Sequence, residues 1–174
     1  MRSVVYAIPL ALLVSPPAVH ATIYLSLEEA QQKMFPGQTL TKDFRDLTDD
    51  QIKAIKKDSG QKPLSKTLNL WRAEQGGWFI LDKVIGKHEF ITYAAALDEK
   101  GAVKDVEILE YNEAYGGQVR EARWLAQFIG KTDDAHLKLG KDVNNISGAT
   151  LSSKHMTDGI RRLLATYAVV IAHG

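Results

Sequence analysis

The segment "HEFITYAAALDEKGAVKDVEILEY", residues 88–111, decides the fold of this chain. Two apolar runs, 88–97 and 103–111, are separated by the sequence Asp-Glu-Lys-Gly, whose composition is typical of a tight turn. We therefore predict an antiparallel hairpin. In the second run, alternate residues form two faces that both mix apolar and charged side chains, so the pattern leaves the strand register open.

Two short helices are predicted near the start of the chain. Ser26 stands three residues before Glu29, which is the spacing of a capping box, and the helix should run from Leu27 to about residue 35. Thr48 and Gln51 repeat this spacing before a second helix that ends at the next glycine. Each helix should bury one apolar stripe against the rest of the protein.

The remaining elements complete an α+β layout. Apolar segments at 67–74 and 78–85 predict two strands before the hairpin. The spacing of apolar residues predicts a helix within 118–131 and a long helix from about 152 to 172, joined by a polar connector. We expect a single domain in which helices pack on an antiparallel sheet.

Residues 1–21 have the features of an export signal. Arg2 precedes an apolar run at 4–14, and small residues precede a predicted cleavage site after Ala21. The run is shorter than the roughly 20 apolar residues of a bilayer span. We therefore predict a periplasmic or otherwise exported protein, with an uncleaved N-terminal anchor as the alternative.

Charge and cysteine content exclude several functions. Without Arg2 the chain has 21 basic and 21 acidic residues and no basic stripe, which argues against a nucleic-acid partner. The chain has no cysteine, so an Fe–S cluster on thiolates, thiol–disulfide exchange and a Cys nucleophile are excluded. The histidines lack metal-ligand spacing, so no metal site is predicted. No nucleophile–base–acid set is visible either, so no catalytic residue is predicted.

The segment "NNISGATLSSKHMTDGI", residues 144–160, places small and hydroxylated residues before the last helix. The first turn of a helix has unpaired backbone N–H groups and a positive dipole end, which suit a phosphate. Gly148 and Ala149 would let a bulky group approach the backbone. A simple N-cap is the alternative explanation. The hydroxyls that could donate to phosphate oxygens are those of Ser147, Thr150, Ser152 and Ser153.

The sequence "SGATLSS", residues 147–153, resembles the flavinylation motif of the FMN-binding domain family. That family includes the C subunit of the sodium-pumping NADH:quinone reductase and the G subunit of the Rnf complex. In its motif, the threonine after Gly-Ala carries FMN through a phosphoester bond, and this position is Thr150 here. The family usually has Asp six residues before the threonine, whereas this chain has Asn144, with Asp142 nearby. Attachment of FMN to Thr150 therefore depends on whether the modifying enzyme requires Asp at the position of Asn144.

Three further segments resemble the family in the same order. They are "VIGKHEFITYAAALDEKGAVKDVEIL" (84–109), "EYNEAYGGQV" (110–119) and "WLAQFIGK" (124–131), so the resemblance covers roughly residues 76–165. It implies an FMN-binding domain at 76–174 after an N-terminal helical and strand region at 22–75. By family position, Glu113 and Tyr115 would lie near the flavin, and Gly116 and Gly117 would admit its ring or the helix mouth.

A threonine hydroxyl is a weak nucleophile without a neighbouring base. No His, Asp or Glu lies within the three residues before Thr150, and His155 follows five residues later. The resemblance implies a separate flavin transferase of the ApbE type, which moves FMN from FAD onto the threonine. Thr150 would then be the acceptor and would not be a catalytic residue.

The resemblance thus implies an exported electron-transfer flavoprotein with covalent FMN on Thr150. Such a protein is a redox carrier or oxidoreductase component rather than a self-sufficient enzyme. Its electron donor and acceptor are not identified by the sequence, although a membrane redox complex is one candidate. Two alternatives remain: a module that binds flavin or a small anion without a covalent bond, and a non-redox docking subunit of a membrane redox complex.

Overall fold

The computed structural model describes residues 22–113 and 115–172, so the predicted export signal at 1–21 lies outside the described residues. The chain forms an antiparallel sheet with helices on both faces, which confirms the α+β prediction and the single domain. The boundary placed between residues 75 and 76 stays a prediction. The elements are β1 (Thr22–Ile23), α1 (Leu27–Met34), β2 (Leu40–Lys42), β3 (Arg45–Asp46), α2 (Asp49–Ser59), β4 (Thr67–Ala73), β5 (Trp78–Ile85), β6 (Phe90–Leu97), β7 (Val103–Tyr111), α3 (Ala122–Leu125) and α4 (Thr150–Thr166).

The sheet is centred on three long strands. Its order is β1-β7-β6-β5-β4-β2, and β3 pairs with β4 beside β2. The pair β6–β7 is an antiparallel hairpin, as the opening segment predicted, and β5 and β6 form a second antiparallel hairpin. The short strands β1, β2 and β3 were missed because two or three residues are too few for an alternating pattern.

Two β-bulges in β7 explain its mixed faces. The register against β6 shifts twice, and Lys104 and Leu109 are each an extra residue without a partner in β6. Every extra residue reverses the face on which the following side chains lie. Simple alternation therefore could not give the register. The β7 residues that enter the larger hydrophobic core are Val103, Val106, Ile108 and Tyr111.

The two faces of the sheet have separate cores. The smaller core lies under α1 and contains Phe35, Trp71, Phe79 and Leu109. The larger core lies on the opposite face under α2 and α4. Burying one such apolar side chain stabilises the fold by about 1.5–3 kcal/mol, so both cores contribute to stability.

The capping boxes of α1 and α2 form as predicted. The backbone N–H of Glu29 donates to Ser26 Oγ at 3.2 Å, and Glu29 Oε2 accepts from the Ser26 backbone N–H at 2.7 Å. Thr48 and Gln51 repeat the arrangement at 3.2 and 2.9 Å. Helix α2 ends at Gly60, whose φ of +73° is in the left-handed region.

The prediction of one helix within 118–131 is wrong. A 3₁₀ turn at Gly117–Arg120 is followed by an extended Glu121, then by the single turn α3 and a 3₁₀ turn at Ala126–Phe128. At about 100° per residue, one straight helix would put Val119 on the face opposite the later apolar residues. The break at Glu121 lets all of them enter the core. The buried side chains are Val119, Trp124, Leu125 and Phe128.

Helix α4 begins at Thr150, two residues earlier than predicted, and continues beyond Thr166 as a π-helix at Tyr167–Ile171. The connector before it has no long element, as predicted, but Leu137 and Val143 in it are buried in the larger core. Within the described ranges, no helix combines the length and the apolar character needed to cross a lipid bilayer.

Candidate functional site

The N-terminus of α4 has no side-chain cap. Its N-cap residue is Ala149, and Gly148 before it has a φ of +82°, a conformation that favours glycine. Thr150 is exposed, and its Oγ1 accepts a hydrogen bond from Asn145 Nδ2 at 3.2 Å. The unpaired N–H groups of the first turn are therefore open to a ligand, and the exposed Thr150 hydroxyl lies beside them.

The loop before Thr150 is tied to the broken helical segment. Trp124 Nε1 donates to the Asn144 carbonyl at 2.7 Å, and the Asn144 N–H donates to Gln127 Oε1 at 2.8 Å. The backbone of Asn144 is thereby fixed, and the residue is exposed. The Asp142 carboxylate accepts a hydrogen bond from the Lys138 backbone N–H at 2.9 Å, and this contact stabilises the turn at 138–142 in the connector.

A cleft of about 460 Å³ opens at the mouth of α4, within the size range of small-molecule sites. It lies between α4, the segment that follows β7, and the turn between β5 and β6. Seven of the ten predicted site residues line it. The lining residues are Lys87, His88, Glu113, Tyr115, Gly116, Gly148, Ala149, Thr150, Leu151 and Ser152.

Ser152 and Gly116 line one side of the cleft, and the buried Tyr111 contacts Ser152 from behind. The Tyr111 hydroxyl donates to the Tyr115 carbonyl at 2.5 Å and lies 3.0 Å from Ser152 Oγ, which must therefore be the donor in that contact. Gly116 has a φ of +92°, and a Cβ there would lie 2.6 Å from the Tyr111 hydroxyl. The position therefore requires glycine for both conformation and space.

Burial raises the pKa of Tyr111, against the opposing hydrogen bond of Ser152 and with a further contribution from the charge of Glu113. Tyr111 therefore keeps its proton at neutral pH and remains a donor to the Tyr115 carbonyl. The Tyr111 hydroxyl thus contacts both the Tyr115 carbonyl and Ser152, and it holds the segment after β7 against the first turn of α4.

Three predicted site residues do not line the cleft. Ser153 is fully buried in α4, and its Oγ has no hydrogen-bond partner in the described part of the chain. Ser147 is exposed on the loop before the helix. Gly117 begins the 3₁₀ turn, and a Cβ added to it would meet no other atom within 4 Å.

Glu113 organises the turn between β5 and β6. Its Oε1 accepts from the backbone N–H groups of His88 at 2.5 Å and Glu89 at 3.0 Å. Burial raises the pKa of Glu113, but these N–H groups, that of Lys87 and the charge of His88 together lower it below its ordinary value. A Cβ on Gly86 would lie 2.6 Å from the same carboxylate.

His155 provides a second tether for this turn. Its Nδ1 lies 2.8 Å from the Gly86 carbonyl, so Nδ1 carries the proton and donates. The turn is therefore fixed to α4 as well as to the segment after β7. As a result, Lys87 and His88 are held at the cleft that contains Thr150.

Lys87, His88 and Leu151 are site residues that sequence reasoning missed. Lys87 is far from Thr150 in sequence, and only the sheet topology and the two tethers of its turn bring them together. Lys154, which follows the hydroxyl cluster, instead pairs with Asp158 at 2.8 Å. The cation beside the helix mouth therefore comes from a strand turn and not from the helix itself.

The cleft joins donors for an anion to an apolar surface. The N–H groups of the first turn and the Lys87 ammonium suit a phosphate. Tyr115 is 86% exposed and Leu151 is 45% exposed, so both present apolar surface to a flat ring. Within 22–113 and 115–172, no group of three or more acidic or histidine side chains is placed to hold a metal ion.

Residues 86–165 match the family model described as the FMN-binding domain. The matched segment begins at Gly86 and ends within α4, so it contains every residue that lines the cleft. No curated protein matches the chain. The match supports a flavin-binding module of the FMN-binding domain family, with FMN as its cofactor. The uncapped first-turn N–H groups of α4 fit the phosphate end of that molecule.

Proposed function

We propose that the chain carries FMN covalently on Thr150 and acts as an exported electron-transfer flavoprotein. The observation that carries this proposal is the position of Thr150, whose exposed hydroxyl stands at an uncapped helix N-terminus and opens on a cleft. Bound FMN supplies one- and two-electron redox chemistry, and the protein supplies its position and surroundings.

The attachment requires a separate flavin transferase. In the described part of the chain, the only side-chain hydrogen bond to the Thr150 hydroxyl comes from the Asn145 amide nitrogen, which cannot accept a proton. A transferase of the ApbE type would supply the base. The Thr150 oxygen would form a bond to the FMN phosphorus of FAD, the pyrophosphate bond would break, AMP would leave, and the hydroxyl proton would pass to the transferase.

The cleft residues have distinct roles in this proposal. The phosphoester keeps one negative charge, which the first-turn N–H groups of α4 and the Lys87 ammonium would stabilise. Tyr115 and Leu151 would contact the apolar part of the flavin. Glu113 and His155 act indirectly, because they hold the turn that carries Lys87.

The test is the intact mass and visible absorbance of the denatured protein after production with an active flavin transferase. The wild type should gain the mass of one FMN less one water and keep its flavin absorbance when unfolded. Thr150→Ala should gain nothing, whereas Ser147→Ala, a neighbouring exposed hydroxyl outside the cleft, should be modified like the wild type. An unmodified wild-type mass beside a transferase that modifies a known substrate would overturn the covalent proposal.

The presence of Asn144 in place of Asp favours one alternative, a module that binds FMN without a covalent bond. In that case the flavin would leave on denaturation, and Thr150→Ala would still bind it. A docking subunit without redox function would be colourless under every condition. The same mass measurement tests export, because a cleaved signal would leave a chain that begins at Thr22.

A further inference from the structure

A second cleft lies away from Thr150, between β4, β5 and α4. Its volume is about 320 Å³, and the segment at 63–65 covers one side of it. Arg162 in its wall stands twelve residues along α4 from Thr150, which corresponds to about 18 Å of helix. The apolar part of the lining is almost entirely aliphatic. It consists of Leu47, Pro63, Leu64, Leu68, Ile80, Leu81, Leu163 and the one aromatic residue Phe90.

Arg162 is the unusual residue of this cleft, because it carries a charge and yet is only 6% exposed. Its Nη2 donates to Asp82 Oδ2 and to the Lys83 carbonyl, both at 2.7 Å. The Tyr93 hydroxyl also donates to Asp82 Oδ2, at 2.9 Å. The Asp82 carboxylate is therefore well compensated, as a buried ion pair requires.

The rest of the guanidinium is available to a ligand. The N–H groups of Nε and Nη1 make no hydrogen bond to the described part of the chain, although Arg162 lines the cleft. These two nitrogens are not among the fully buried polar atoms without a partner, so they keep contact with the open cleft. An acceptor atom of a ligand would replace water there and gain a charged hydrogen bond.

A neighbouring cleft of about 330 Å³ shares Leu64 and Arg162 with the first, and we call the two together the Arg162 groove. Asp82 and Asp158 are its two carboxylates, and Asp158 already pairs with Lys154 and Arg161. Four cationic side chains line it, so positive charge is in excess. They are Lys62, Lys83, Lys154 and Arg162.

We propose that the Arg162 groove binds a small molecule with an aliphatic body and one anionic head group, of the class of medium-chain carboxylates. The aliphatic lining would bury the body, since burial of apolar surface is favourable and undirected. The free Arg162 N–H groups and the excess of positive charge would hold the carboxylate. This site is separate from the cleft at Thr150 and does not depend on the flavin.

The test is calorimetric titration of the full chain with decanoate below its micelle-forming concentration. Decanoate should bind with one site per chain and at least about tenfold more tightly than decanol, because a charged hydrogen bond to the buried guanidinium is lost with the alcohol. Decyltrimethylammonium should not bind. Equal binding of decanoate and decanol, or no binding of decanoate, would overturn the proposal.

Matched variants locate the site. Leu64 is 48% exposed and borders both parts of the groove, whereas Ile129 is 44% exposed and lies outside it. Leu64→Asp should weaken decanoate binding at least about tenfold by adding a like charge, and Ile129→Asp should leave it unchanged. Equal weakening by both would overturn the location. Thr150→Ala should bind decanoate like the wild type, so a failure of the flavin proposal would not be mistaken for a failure of this one.

Discussion

Helices α1 and α2 begin in one way and α4 begins in another. The first two have complete capping boxes, in which Ser26 and Thr48 occupy the first-turn N–H groups. Helix α4 is longer, yet its N-cap is Ala149 and it has no side-chain cap, although hydroxyl residues surround it. Capping boxes close a helix end, whereas α4 leaves its donors open where the chain forms a cleft.

The hydroxyl groups near α4 serve other purposes than capping. Ser152 donates to Tyr111, and Ser153 is buried on the core side of the helix. Thr150 alone is exposed at the mouth and lines the cleft. The comparison indicates that the uncapped start of the long helix α4, in a chain that caps α1 and α2, marks a binding site, and three measurements can test this.

The largest effect is expected for Gly116→Ala. The added methyl would contact Tyr111 and Ser152 at well under van der Waals distance, and a φ of +92° strains any residue but glycine. We expect a loss of about 3 kcal/mol in the free energy of unfolding, measured with urea. Gly117→Ala is the matched control and should cost less than about 1 kcal/mol, since open space surrounds Gly117. Equal losses in both variants would contradict the proposed packing at the mouth.

A smaller effect separates the two kinds of helix start. Thr48→Ala removes a capping hydroxyl and should lower the free energy of unfolding by about 1 kcal/mol. Thr150→Ala removes an exposed hydroxyl that caps nothing and should cost no more than about 0.5 kcal/mol. Urea unfolding of both proteins without flavin measures the difference. If Thr150→Ala lowered the free energy of unfolding as much as Thr48→Ala does, the Thr150 hydroxyl would stabilise the helix, and the proposed difference between the two helix starts would be wrong.

The smallest effect concerns Glu113 and depends on pH. Its folded-state pKa lies below the ordinary 4.5, so its charge stabilises the fold above about pH 4.5, and this contribution is lost as pH falls through the folded pKa. Glu113→Gln should therefore lower stability at pH 7 by about 0.5–1 kcal/mol, because the carboxylate is only half-buried. The difference from the wild type should shrink in denaturation curves taken toward pH 3. A difference that stayed constant with pH would show that the charge is not involved.

Local patterns predicted the capped helices and the long strands. The boxes at Ser26 and Thr48 need only residues three apart, and the hairpin at 88–111 needs only its turn and two apolar runs. The region 118–131 could not be predicted in this way, because its break at Glu121 depends on where the core lies. Apolar spacing alone does not say that Val119 must turn toward the core shared with Phe128.

The candidate site was predictable where it is contiguous in sequence. Residues 148–150 and 152 fall in one motif, and the segment at 113–116 follows β7 directly. Lys87 was not predictable, since its place at the cleft results from two tethers, Glu113 to the backbone of the turn and His155 to the Gly86 carbonyl. Those contacts join elements that are far apart in the chain.

The paired bulges of β7 make the residues of this strand unequal under deletion. Lys104 and Leu109 have no partner in β6, and the side chains on either side of each already face the same layers as their β6 partners. Deletion of Lys104 would therefore remove one bulge and restore simple alternation without moving the other side chains to the opposite face. Deletion of a paired residue such as Val106 would instead shift the pairing beside it and send apolar and charged side chains to the wrong layers. Descendants of this sequence can therefore lose Lys104 more readily than a paired residue of β7.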